Sequence, residues 1–217
     1  SADVLKALGV NIEAPVATVE KSLQTVGIGF LFAPLMHGAM KHAIGPRREV
    51  GIRTLFNVLG PLTNPAGAKC QLTGVYSKAL VEPVANVLMR LGSERVFVVH
   101  GYDGLDEITV TGGTEVAMLK DGKIKTFTIA PSDFGMEVRH ADDIKGSDAE
   151  GNAKITRDIL SGTERGAKRD ITVLNASAAI CAGGLAETIG KAVPMAREAI
   201  DSGAAMEKLE KMIEVCK

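Results

Sequence analysis

Two short apolar runs, CQLTGVYS (70–77) and RVFVVH (95–100), flank one amphipathic segment, ALVEPVANVLMRLG (79–92). Strand-length runs separated by a helix-length stretch predict parallel strands joined by a crossover helix, since no tight turn can connect parallel neighbours. The next stretch, TEVAMLKDGKIKTFTI (114–129), changes character. Its two runs have a period-2 tendency and flank Asp121-Gly122, a dipeptide suited to the left-handed turn of a hairpin. The fold class that follows is α/β, a mostly parallel sheet with flanking helices and a β-hairpin.

Helices are predicted on both sides of this region. Ala2, Leu5 and Leu8 recur at helical spacing, and Gly9 offers a stop. Residues 15–25 read as a helix with Pro15 in its first turn, and 34–44 as another ended by Gly45-Pro46. Between them, VGIGFLFAP (26–34) predicts a short buried strand. A helix starting near Arg53 stops at Gly60-Pro61. From Ser147 onward the expected helices are 147–161, 170–186, 190–201 and 203–216. In VLNASAAICAGG (173–184), the small residues around Asn175 and Ala178 read as tight helix packing rather than a site.

With 46% hydrophobic residues in 217, the chain can bury one substantial core, and no linker interrupts it, so residues 1–217 read as a single α/β domain. The balance of 25 basic and 26 acidic residues gives no electrostatic footprint for nucleic acid or an anionic membrane surface. No apolar stretch approaches the roughly 20 residues of a bilayer span. Cys70, Cys181 and Cys216 are odd in number and widely spaced, which suggests neither a disulfide framework nor a zinc site. A reducing, cytoplasmic location is the natural expectation.

Three stretches carry candidate chemistry. In VFVVHGYDGLDEITV (96–110), an apolar run breaks into glycines and delivers the adjacent acids Asp106 and Glu107. Beyond the carboxyl end of a strand, where open α/β sheets bind ligands, both can face one crevice. Mg²⁺ takes one or two carboxylates plus phosphate oxygens and water, so the pair suits a metal–diphosphate group, while an exposed acidic turn remains the plainer alternative. In MHGAMKHAIGPRREVGIRT (36–54), His37, Met40 and Lys41 share or adjoin a helical face, and Arg47 and Arg48 follow. An arginine fork there can grip a carboxylate or phosphate, or simply complement a helix end. In FNVLGPLTNP (56–65), Pro61 can wall a pocket and Asn57 and Asn64 can lock turns.

Taken together, SADVLKALGV, FLFAPLMHGAMKHAIGPRREVGIRTLFNVLGPLTNPAGAKCQLTGVYSK and GYDGLDEITVTGGTEVAML resemble the anthranilate phosphoribosyltransferases, in order and spacing along the whole chain. RTLFNVLGPLTNP is the most specific piece. The resemblance implies a nucleoside phosphorylase/phosphoribosyltransferase-like catalytic domain. It also implies transfer of phosphoribose from 5-phosphoribosyl 1-diphosphate to the amine of anthranilate, with Mg²⁺ as cofactor and pyrophosphate as leaving group. Matched position by position, Asp106 and Glu107 fall on the family's metal–diphosphate pair, and Arg47 on the arginine that grips the anthranilate carboxylate. His37 falls on the histidine lining the anthranilate channel, and Pro61 on the proline beside it.

Departures from the family are as specific. Its GTGGD diphosphate loop with the following N-x-S-T stretch, and its KHGNR segment, are absent, and Gly38 replaces a usual proline. The glycines of VTGGTEV (110–116) precede a hairpin and read as a turn rather than a phosphate cradle. The expectation is a C-terminal part of the enzyme, incomplete and inactive alone. Residues 46–66 would belong to the otherwise missing helical domain through which the family forms homodimers. Nucleoside phosphorolysis on the same fold would use phosphate rather than a metal diphosphate, which the acid pair disfavours. A non-catalytic nucleic-acid-binding relative would need a basic stripe, and the charge balance gives none.

Overall fold

The computed structural model describes residues 2–36, 60 and 62–217. His37, Arg47 and Pro61 lie outside the described residues, as do most of the expected helix at 34–44 and the one at 53–59. The chain divides into two compact units, Ser1–Gly60 with Gly146–Thr163 and Ile200–Lys217, and Pro61–Lys145 with Glu164–Ala199.

The first unit is helical among its described residues: α1 (Ala2–Leu8), α2 (Val16–Thr25), α3 (Ala33–Met36), α5 (Ala149–Leu160) and α8 (Ala204–Val215). Val10, Ala14, Val19, Val26, Met212 and Cys216 form its core, covered by Leu5, Phe30, Leu31 and Leu209. The Arg157 guanidinium donates 2.8 Å to the Leu8 carbonyl, satisfying a carbonyl left open at the end of α1. Asp148 caps α5 by accepting from the Gly151 N–H at 2.8 Å.

The strand expected at 26–34 does not form. Residues 28–32 have irregular backbone, and the chain then enters α3. No strand of this unit offers an edge to pair with among the described residues, so the Ile28 carbonyl instead accepts from the Ser22 hydroxyl of α2 at 2.7 Å. Phe30 and Leu31 bury against helices rather than in a sheet. An apolar run of this length does not distinguish the two fates.

The second unit is built on a sheet in the order β1-β2-β3-β4, with β1 Cys70–Gly74, β2 Arg95–Gly101, β3 Thr114–Lys120 and β4 Lys123–Ile129. Helix α4 (Val81–Arg90) returns the chain from β1 to a parallel β2, as expected. The two remaining pairings are antiparallel, so among the described residues the sheet is mixed rather than mostly parallel. The connection from β2 to β3 contains no helix, and without one to carry the chain back along the sheet β3 runs the other way. The hairpin closes at Asp121 and Gly122, whose φ angles of 52° and 68° are the left-handed pair of a two-residue turn.

Val96, Val98 and Val99 on β2 are all nearly fully buried, which places side chains of both pleat directions in the interior. Strand β4 is largely exposed and carries Lys123 and Lys125, charges that blunt an open edge. Helix α4 packs on β2 and β3, and α6 (Ala167–Ala182) on β1 and β2. Helix α7 (Ile189–Asp201) contributes Ala192, Val193 and Ala196 to the buried set.

Candidate active site

The parallel pair β1–β2 ends at Gly74 and Gly101, and the acid pair follows in the loop beyond β2. Asp106 and Glu107 are exposed there, whereas Ile108, Thr109 and Val110 immediately after them are buried. The chain therefore presents two carboxylates and then dives into the core. Hydrogen bonds inside the loop fix its shape. The Gly101 N–H donates to the Leu105 carbonyl at 2.8 Å, and the Gly104 N–H to that of Gly101 at 2.9 Å. Asp103 sits at the centre: one oxygen accepts from the Thr109 hydroxyl at 2.5 Å and the Thr111 hydroxyl at 2.6 Å, the other from the Leu105 N–H at 3.1 Å. Burial alone would raise the Asp103 pKa, but these donors outweigh it and hold the carboxyl below its usual range.

Two further elements fix where the loop lies. The end of β1 touches it so closely that a Cβ on Gly74 would meet the Asp106 carbonyl oxygen at 1.5 Å. From α6, the Asn175 side chain reaches the backbone of Ile108. Its Oδ1 accepts the Ile108 N–H at 3.0 Å, and its Nδ2 donates to the Ile108 carbonyl at 2.8 Å. Farther along, the Arg139 N–H donates to the Val110 carbonyl at 2.8 Å.

Glu107 is exposed as a residue, yet partial desolvation of its carboxyl, and then the neighbouring Asp106 charge, pushes its pKa up. Neither acid is in an ion pair with another described residue. A carboxylate pair that disfavours its own second charge gains from a divalent cation, so the donor set fits Mg²⁺. No group of three or more His, Cys, Asp or Glu side chains suited to a metal occurs among the described residues. A cation here would draw its remaining ligands from substrate oxygens and water.

Beside the loop, the Lys78 ammonium lies 2.9 Å from Glu115 Oε2 and 5.0 Å from the centre of the Tyr102 ring, whose hydroxyl donates to the same oxygen at 2.7 Å. The Tyr102 N–H donates to the Gly113 carbonyl at 2.9 Å, and residues 110–112 form a bend that leads into β3 rather than into a helix. Among the residues sequence reasoning passed over, Asp103 carried a signal, since Asp-Gly after a strand favours a side chain that locks its own turn. Ala178 is fully buried, in keeping with tight packing, but Asn175 is occupied with Ile108 instead. Arg47, His37 and Pro61 lie outside the described residues. No described helix is long and apolar enough to cross a membrane.

The family model described as glycosyl transferase family, a/b domain, matches residues 1–206. The chain is similar to the anthranilate phosphoribosyltransferase of Geobacter sp. (strain M21), 56% identical over 213 residues, covering 98% of this chain and 60% of that protein. It is 52% identical over 217 residues to that of Desulfosudis oleivorans, covering 100% of this chain and 64% of the relative. Among solved structures, the anthranilate phosphoribosyltransferase of Thermus thermophilus superposes with a TM-score of 0.93 at 40% identity, over 99% of this chain and 64% of the other. The Saccharomyces cerevisiae enzyme in complex with PRPP and Mg gives 0.89 at 32% identity, over 99% and 62%. The chain thus spans about 60% of the length of the curated relatives it matches. With the match running through nearly all of its residues, the chain belongs to the glycosyl transferase family, as its a/b domain.

Proposed function

We propose that the complete protein transfers phosphoribose from phosphoribosyl diphosphate to the amine of anthranilate and releases pyrophosphate, a step of tryptophan biosynthesis. The observation that carries this reading is the Asp106–Glu107 pair, exposed at the carboxyl end of β2 in a chain 56% identical to an anthranilate phosphoribosyltransferase. The yeast relative solved with PRPP and Mg supports the same ligands for this chain.

Asp106 and Glu107 would hold Mg²⁺, which when bound would supply positive charge to offset that of the diphosphate leaving group. The aromatic amine is a weak nucleophile, so leaving-group departure governs the barrier, and the two carboxylates act on that side. By their match to the family, Arg47 grips the anthranilate carboxylate, while His37 and Pro61 line its approach. The same match supports a homodimer formed through a helical domain that includes residues 46–66, and the three widely spaced cysteines suit a reducing, cytoplasmic location.

The test is turnover by the protein that its complete gene encodes, followed as loss of anthranilate in the presence of Mg²⁺ and phosphoribosyl diphosphate. Asp106→Asn should lower kcat/KM by about 100-fold or more, as loss of a group stabilising transition-state charge does. Arg47→Ala should raise the anthranilate KM instead. Turnover indifferent to both substitutions would sink the assignment.

A further inference from the structure

We propose that Asn175 is a positioning residue, which sets where the Asp106–Glu107 pair stands. Asparagine is a poor choice for the interior of a helix, since its amide competes for backbone groups. Here it lies in the middle of α6, and that competition has a specific target. One side chain satisfies both backbone groups of Ile108, 67 positions away, and its second N–H goes to the Ile171 carbonyl at 2.9 Å. Ile108 is 1% exposed, so solvent is poorly placed to replace these bonds.

An amide of this reach is the side chain that both donates and accepts at one residue. Aspartate loses the donor, leucine keeps the shape but neither group, and glutamine stands one methylene too far. The loop's internal bonds, centred on Asp103, determine its shape but not its station relative to the helices. Asn175 supplies the station: Glu107 is covalently next to Ile108, and Asp106 precedes it, already pressed against Gly74. The carboxylates therefore inherit their place from β1 on one side and α6 on the other.

This inference rests on the reading of Asp106–Glu107 as a metal–diphosphate site, and its test has a readout besides turnover. Binding of Mn²⁺ with inorganic pyrophosphate to the complete protein is followed by electron paramagnetic resonance, for wild type, Asn175→Leu, Asn175→Gln and Asp106→Asn. Asn175→Leu should bind about 10–100-fold more weakly, the range for loss of a partner that orients a metal ligand. Its anthranilate KM should change by less than about 2-fold, because uniform loss of binding is not the mechanism. Asn175→Gln keeps the hydrogen-bonding groups and is the variant read if Asn175→Leu does not fold; it should fall between wild type and Asp106→Asn. Wild-type affinity in a folded Asn175 variant overturns the proposal. So does a loss that merely tracks the folded fraction, or Asp106→Asn binding as tightly as wild type. If wild type binds Mn²⁺–pyrophosphate but leaves anthranilate untouched, the substrate reading fails while the binding series still decides the role of Asn175.

Discussion

Gly74 presses on the main chain of Asp106: a Cβ on Gly74 would lie 1.5 Å from the Asp106 carbonyl oxygen and 2.5 Å from its carbonyl carbon. Both atoms belong to main chain, so no rotamer change relieves the clash. Gly74→Ala should push the acid-bearing loop away from β1 and destabilise the protein by about 1–3 kcal/mol, the usual cost of overpacking. It should also weaken Mn²⁺–pyrophosphate binding by about 10-fold or more, because a carboxylate displaced by an ångström no longer meets its cation. Chemical denaturation and the binding titration check the two parts separately. A variant as stable and as tight-binding as wild type would mean that the close approach does not locate the loop.

Asp103 gives the loop a pH dependence whose sign follows from its hydrogen bonds. Burial works against its charge, yet donors from Thr109, Thr111 and the Leu105 N–H lower its folded pKa below the ordinary value of 3.8. A depressed carboxyl contributes stability that is fully present above the unfolded pKa and is lost as pH falls through the folded one. Asp103→Asn should therefore melt below wild type at pH 7, with the gap closing as pH drops below about 4. Melting temperatures of both proteins across that window provide the check. A gap that persists unchanged at the acid end would assign the effect to packing rather than charge.

Asp121 and Gly122 both have positive φ, and Gly122 at 68° has no side chain to oppose it. Gly122→Ala should cost about 1 kcal/mol from left-handed strain alone, since open space surrounds the position. Thermal denaturation measures it. Mn²⁺–pyrophosphate binding should be unchanged, because the turn lies at the end of the hairpin away from the β2–β3 connection that carries the acids.

How much of this was legible in the sequence depended on the separation of the cooperating residues. Asp121-Gly122 announced the hairpin because turn chemistry is local, and the observed strands flank it as expected. The acids were legible as adjacent residues beyond an apolar strand. The station of the loop was not, because Asn175 and Ile108 are 67 positions apart and neither has a local reason to signal the other. The apolar run at 26–34 misled for a related reason: its composition suits a strand, but its surroundings are helices, and only tertiary structure supplies or withholds a partner edge. The antiparallel return of β3 was implicit in the helix-free stretch before it, a signal weaker than the alternation that preceded it.

Helix α6 meets the strand exit a second time, which separates support from positioning. The Arg139 guanidinium donates to Asp170 Oδ2 at 3.0 Å from Nε and 2.8 Å from Nη2, while its backbone N–H holds the Val110 carbonyl. The Asp170 carboxylate draws the Arg139 pKa up, as a favourable ion pair must. The Asp170 side chain is 14% exposed and that of Arg139 30%, so the pair is worth less than a fully buried one. After that discount, Asp170→Asn should lower the urea denaturation midpoint only modestly. Val110 lies beyond buried Ile108, which Asn175 holds independently, so Mn²⁺–pyrophosphate affinity should change by less than about 2-fold. Asp170→Asn combined with Asn175→Leu should add nothing further to the metal-binding defect of Asn175→Leu alone. A large binding defect from Asp170→Asn would mean that the whole strand exit, rather than Ile108, sets the place of the acids.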